Sequence, residues 1–126
     1  MKTTDVKIGK QHFSLAFTLG AMEELEEKIE DFRLDDLQKY VKSPKGLLDI
    51  ITALARQGEA LDGRELAVNR EWFAQHLSPS PIRISQIQVA VLNALSEGLR
   101  MEAEDDAEGE VDVVLEELKK KESKEG

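Results

Sequence analysis

The N-terminal part of the chain first follows the hydrophobic period of a β-strand. Val6 and Ile8 precede a Gly9-Lys10 dipeptide, and beyond it apolar residues alternate with small or polar ones. The apolar positions are Phe13, Leu15 and Phe17, and they alternate with Ser14, Ala16 and Thr18. Two short runs joined by a glycine-containing turn are typical of a β-hairpin. The sequence therefore predicts an N-terminal hairpin whose second strand is half-buried.

From Thr18 onward the period changes to that of a helix. Met22, Leu25 and Ile29 recur at helical spacing. The other face is filled by Glu23, Glu24, Glu26 and Glu27. Such a segment turns an apolar stripe toward the core and a wall of carboxylates toward solvent. An acidic amphipathic helix is therefore expected directly after the hairpin.

Three further helices are predicted between residues 34 and 77. A short helix is expected from Leu34 and should end before Ser43 and Pro44, which cap and open the next helix. That helix should end at Gly58, which adopts a left-handed cap conformation at little cost. The segment Asp62-Gly63-Arg64-Glu65 has the form of a capping box. It should open a helix whose apolar face contains Leu66, Phe73 and Leu77.

The longest apolar segment follows a proline-rich connector. The connector is Ser78-Pro79-Ser80-Pro81, whose prolines disfavour helix at the residues before them. A helix is predicted from Ile82 to about Met101. Its apolar stripe is Ile84, Ile87, Val91, Leu95 and Leu99. Because no other segment is as apolar over such a length, this is the predicted core helix.

Composition changes at Glu102. Acidic residues follow one another as far as Asp112 without an intervening basic residue, and such like charges favour an extended, solvated chain. We therefore expect a hairpin-plus-helices domain at residues 1–101. Residues 102–126 should form an acidic flexible linker and a short C-terminal helix or tail. The predicted fold class is mainly α, an N-terminal β-hairpin followed by a compact bundle of about five helices.

Charge and cysteine content narrow the class of function. The chain has 126 residues and a formal net charge of −9, which disfavours binding to nucleic acids and to anionic membrane surfaces. A basic or amphipathic protein partner suits that charge better. There is no cysteine, which excludes disulfides, thiol nucleophiles and thiolate zinc sites. Without a leader pattern or a long apolar run, we expect a cytoplasmic protein that does not span a membrane.

No group of residues predicts catalysis. His12 and His76 are the only histidines, and their separation is not that of a metal site. The glycines form neither a phosphate-binding loop nor a dinucleotide fingerprint. A metal site of carboxylates alone is a minor alternative. The sequence predicts no catalytic residue, no cofactor and no metal, and a protein that is not an enzyme.

The segment HFSLAFTLGAMEELEEKI, residues 12–29, resembles the opening of the tail assembly chaperones of long-tailed phages and gene transfer agents. The resemblance extends more weakly over residues 4–101, and no family pattern aligns with residues 57–69 or 78–81. It implies a non-enzymatic phage or prophage protein of the host cytoplasm. Such a protein binds the tape measure protein, promotes assembly of the tail tube protein and is absent from the mature virion. Transient self-association along a long client is a further expectation.

Partner-binding residues are predicted on the hairpin, the first acidic helix and the tryptophan. They are Phe13, Leu15, Phe17, Met22, Glu23, Glu26, Glu27 and Trp72. The aromatic ones either line a groove for a partner helix or belong to the core. Two other functions stay open. One is a structural virion component, such as a head-tail connector or tail terminator, and the other is a small helical regulatory adaptor.

Overall fold

The computed structural model describes residues 2–106, with side chains described as far as residue 100. Within this range the chain forms one two-stranded antiparallel sheet and five α-helices. The strands are β1 (Thr4–Ile8) and β2 (Gln11–Leu15). The helices are α1 (Leu19–Lys28), α2 (Leu37–Lys42), α3 (Pro44–Leu61), α4 (Arg70–His76) and α5 (Pro81–Asp106). The predicted fold class, a hairpin followed by helices, is confirmed.

The hairpin has the predicted two-residue turn. Ile8 is the partner of Gln11, and Val6 is the partner of Phe13 in the same register. Gly9 opens the turn with a φ of 64°, a left-handed conformation that glycine adopts without steric cost. The local pattern of the sequence is therefore sufficient to place both strands.

From Phe13 onward, strand β2 is buried on both faces, not on one face as its alternation predicts. Ser14 and Ala16 are buried together with the apolar positions beside them. The reason is that α3 lies along the free edge of β2. The Ala16 N–H donates to the Leu54 carbonyl oxygen at 3.0 Å, and the Ser14 N–H donates to Glu59 Oε2 at 2.8 Å. Helix α3 thus satisfies backbone groups that would otherwise be unpaired at a sheet edge.

Gly58 does not end α3, which continues to Leu61. A Cβ atom at Gly58 would lie 2.0 Å from the Ser14 carbonyl oxygen, so glycine is needed here for close approach to β2. Gly98 of α5 has the same role, because its Cβ would lie 2.4 Å from the Phe17 carbonyl oxygen. Two helices therefore contact the backbone at the end of the hairpin through glycines.

Helix α3, not α5, is the central helix. The Ser43 hydroxyl caps it by accepting the Gly46 N–H at 3.0 Å, and Pro44 occupies its first turn, as predicted. It contacts β2, α1, α2, α4 and α5. Its buried apolar side chains are Leu47, Ile50, Ile51, Ala53, Leu54 and Ala55. The prediction of α5 as the core helix is wrong because α5 packs on one side only, through Ile87, Val91, Ala94 and Leu95.

The predicted capping box at Asp62 does not open a helix. Residues 62 and 63 end α3 instead, with Gly63 at a φ of 79°. The Asp62 carboxylate accepts the Ser14 hydroxyl, so it is held by the hairpin and caps no helix. Helix α4 begins later, at Arg70, where Asn69 Oδ1 accepts the Trp72 N–H at 2.9 Å.

The proline-rich connector and the last helix follow the prediction at their start. Helix α4 ends at His76, and α5 begins at Pro81. Helix α5 continues to Asp106, so residues 102–106, which we assigned to the acidic linker, are helical. The rest of the predicted linker and tail, residues 107–126, lies outside the described residues.

Candidate functional site

The aromatic and aliphatic residues of the hairpin do not form a contact face. Phe13, Leu15 and Phe17 are only 3%, 0% and 4% exposed. Both faces of β2 are covered, so these side chains close the core and offer no surface to a partner. This corrects their prediction as partner-binding residues. Their apolar alternation is fully explained by packing.

Trp72 is half-buried and joins α4 to the hairpin. Its ring lies 5.5 Å from that of Phe13 in an edge-on arrangement and 5.5 Å from that of Phe73. On another side it stacks on His76, with ring centroids 4.0 Å apart. These contacts make Trp72 part of an aromatic cluster that anchors α4.

The predicted residues of α1 do lie at the surface. Glu23, Glu26 and Glu27 are exposed, and Met22 is half-buried. Glu24 differs from its neighbours because its carboxylate pairs with Arg56 at 2.6 Å. The acidic face of α1 is thus partly tied to α3 and partly open.

Leu19 is the surface residue that sequence reasoning missed. It is 76% exposed and follows the Thr18 cap, whose hydroxyl oxygen accepts the Ala21 N–H at 3.1 Å. At helical spacing Leu19 shares one face of α1 with Met22, Glu23 and Glu26. Thr18 could have predicted this position, because a threonine cap makes Leu19 the first residue of the helix and not the end of the strand.

An exposed apolar surface runs from α1 across α5 to the segment before α2. We call it the Leu19–Leu99 surface, and it consists of Leu19, Met22, Leu34, Leu92 and Leu99. Leu99 connects its two halves, because it lines a cavity of about 60 Å³ beside Leu19 and Met22 and another of about 260 Å³ beside Leu34 and Leu92. Leu99 is itself 48% exposed. The surface is therefore shallow, continuous and accessible.

Carboxylates border this apolar surface. Glu23 and Glu26 line a cavity of about 370 Å³ together with Leu19 and Met22, and Asp35 borders the half that contains Leu34. Among the side chains that the structure describes, no Lys or Arg lines any of these three cavities. Glu27 is exposed but lines none of them. An apolar floor with an acidic border attracts an amphipathic partner whose apolar face is flanked by basic residues.

Glu59, a carboxylate with a shifted pKa, belongs to a structural cluster rather than to this surface. The hydrogen bonds from the Arg64 guanidinium lower the pKa of the Glu59 carboxyl, and the Ser14 N–H adds to the effect against the opposing cost of burial. Arg64 contacts Glu59 at 3.1 Å and Asp62 at 3.2 Å. The cluster fastens β2 to the end of α3, and its pKa shift has a structural cause.

The histidines are not brought together. His12 Nδ1 lies 3.2 Å from Asp5 Oδ2 within the hairpin, and His76 Nδ1 donates to the Trp72 carbonyl oxygen at 2.8 Å. In the part of the chain that the structure describes, no three His, Asp or Glu side chains are grouped to hold a metal ion. None of the helices, over the same residues, has both the length and the apolar character to cross a membrane.

Comparisons with family models, with curated proteins and with solved structures found no match to this chain.

Proposed function

We propose that this chain is a non-enzymatic tail assembly chaperone of a phage or prophage, which binds the tape measure protein and promotes tail tube assembly. The observation that supports it most is the Leu19–Leu99 surface with its acidic border. The resembling segment, residues 12–29, supplies the α1 half of that surface. The segment that resembles the family thus also contributes to the exposed apolar surface on which the proposal rests.

The surface suits a long helical client. An amphipathic helix of the tape measure protein would lay its apolar face on Leu19, Met22 and Leu99, while its Lys or Arg side chains approach Glu23 and Glu26. Burial of apolar area contributes about 25 cal/mol per Å². A shallow surface buries little area, which favours a short-lived complex over a permanent one. Short-lived binding is what a factor needs if it acts in the host cytoplasm and leaves before the virion matures.

Co-expression with a tape measure fragment tests the binding. The wild-type chain should keep the fragment soluble, and a Leu19→Glu/Leu99→Glu variant should fail to do so because it places charge on the apolar floor. Ile82→Glu/Val89→Glu is the matched control, since both are exposed aliphatic residues of α5 that line none of the three cavities. An insoluble fragment at a large excess of wild-type chain would contradict the proposal.

Analysis of purified particles tests the role. A chaperone should be missing from mature virions by mass spectrometry, whereas a head-tail connector or tail terminator would be retained. The neighbouring genes give a second test, with a tube protein gene upstream and a long helical tape measure gene downstream as the expected arrangement. A metabolic or transcriptional neighbourhood would contradict it.

A further inference from the structure

A fourth cavity, of about 470 Å³, lies between the hairpin turn and the start of α5. We call it the cationic cavity, and it is lined by Lys7, Ile8, His76, Leu77, Arg83 and Ile87, with Gly9, Ser78 and Gln86. It uses the N-terminal part of α5, whereas the Leu19–Leu99 surface uses the C-terminal part. The two surfaces therefore share a helix but no side chain.

The charge of this cavity is opposite to that of the rest of the molecule. Lys7 and Arg83 both line it, and no Asp or Glu of residues 2–100 does. Four of the six arginines pair with carboxylates, namely Arg56, Arg64, Arg70 and Arg100. Neither Lys7 nor Arg83 has a carboxylate partner among residues 2–100. In a chain of net charge −9, two unpaired cations in one cavity favour an anionic ligand.

The floor of the cavity identifies the class of ligand. Ile8, Leu77 and Ile87 are buried or half-buried apolar residues that line the cavity together with the two cations, and we call them its apolar floor. A polyphosphate or nucleic acid gains nothing from an apolar floor and is repelled by the net charge of the chain. A peptide that carries carboxylates beside an apolar side chain matches both features. We propose that the cationic cavity binds an acidic segment of a partner protein, with Lys7 and Arg83 contacting its carboxylates.

A neutral side chain of the cavity can also contact a carboxylate. The Gln86 side chain adds an amide that can donate to a carboxylate. The cavity thus offers two charged and at least one neutral donor around its apolar floor.

Binding of a labelled peptide with alternating Glu and Leu tests the proposal by fluorescence anisotropy on the full chain. We expect Lys7→Glu/Arg83→Glu to weaken binding by about tenfold or more. The control is Arg33→Glu/Lys39→Glu, which makes the same charge change at exposed positions outside the cavity and should bind as the wild type does. If the charge reversal lowers the thermal unfolding midpoint, Lys7→Gln/Arg83→Gln replaces it with the same expectation.

Four results would overturn the proposal. The first two are that both double variants bind the peptide equally weakly, or that a peptide with Lys in place of Glu binds as tightly as the Glu peptide. The other two are that a single-stranded oligonucleotide binds more tightly than the peptide, or that the chain loses self-association in sedimentation when Lys7 and Arg83 are changed. The last would make a second copy the occupant. The cationic-cavity variant should still solubilise a tape measure fragment, so this binding and the function proposed above fail or succeed separately.

Discussion

Helices α3 and α5 are both long and rich in apolar residues, but they use those residues in different ways. Helix α3 is contacted by the hairpin and by the four other helices of the described chain, and its apolar residues lie inside. Helix α5 buries one stripe and leaves Ile82, Val89 and Leu99 exposed. It also lines both the Leu19–Leu99 surface and the cationic cavity. Buried packing is therefore concentrated on α3, and accessible apolar and cationic surface on α5.

Some polar residues of α3 are buried as well. Asp49 and Glu59 are buried, and each is paired with exposed or half-exposed cations from other turns or elements. Polar residues of α5 mostly face solvent. Substitutions of the same chemistry should therefore have different effects on the two helices.

The largest difference in stability between variants of the two helices should come from shortening one leucine on each helix. Leu54→Ala in α3 should lower the free energy of unfolding by about 2–5 kcal/mol, because it leaves a cavity in a fully buried place. Leu99→Ala in α5 should lower it by less than about 1 kcal/mol, because that side chain is half-exposed. Urea denaturation of both variants measures the difference. Equal losses would refute the division of roles between the helices.

The second-largest loss of stability should come from disturbing the glycine contact of α3. Gly58→Ala should cost about 3 kcal/mol, the upper part of the overpacking range, because the added methyl group meets the backbone of Ser14. Gly20→Ala is the control. The atoms nearest to its methyl group would be at the end of the Gln57 side chain, which can move. Because alanine also favours helix, stability should stay within about 1 kcal/mol. The same denaturation experiment reports both, and a Gly58→Ala protein of wild-type stability would contradict the close contact.

The third-largest loss of stability should come from removing the buried carboxylate of Asp49. It accepts hydrogen bonds from Lys45 at 2.8 Å and from Arg70 at 2.7 Å, and so connects α3 to the start of α4. Asp49→Ala should cost about 2 kcal/mol, the value for hydrogen bonds to a charged group. The cost stays moderate because both cations reach solvent. Asp35→Ala, at an exposed position, should change the thermal unfolding midpoint little, and equal shifts for the two would contradict the role of Asp49.

Features decided by neighbouring residues could be predicted from the sequence. The Gly9-Lys10 turn, the Ser43 cap with Pro44, and the connector before Pro81 all depend on local backbone preferences. The exposed carboxylates Glu23 and Glu26 of the candidate site were predicted for the same reason, since helical periodicity assigns each residue of α1 to a face.

Features decided by distant contacts could not be predicted. The sequence predicts that Gly58 ends a helix, but in the structure this glycine allows the Ser14 carbonyl of the hairpin to approach α3 closely. Phe17 has the pattern of a half-exposed strand, yet α5 covers it through Gly98. The two cations of the cationic cavity come from β1 and α5, and only the tertiary fold brings them together.

The smallest of the four effects, that of Glu59 on α3, should depend on pH. Because Arg64 lowers the pKa of Glu59 in the folded chain, the folded state binds this proton less readily than the unfolded state, whose pKa is near 4.5. The carboxylate therefore stabilises the fold above that pH, and the stabilisation is lost as pH falls through the folded pKa. Glu59→Gln should cost about 1 kcal/mol at neutral pH and progressively less in acid. Denaturant unfolding of wild type and variant across this range measures the difference, with Glu30→Gln as an exposed control. If the difference in unfolding free energy between wild type and variant did not depend on pH, the charge of Glu59 would not be what stabilises the contact between β2 and α3.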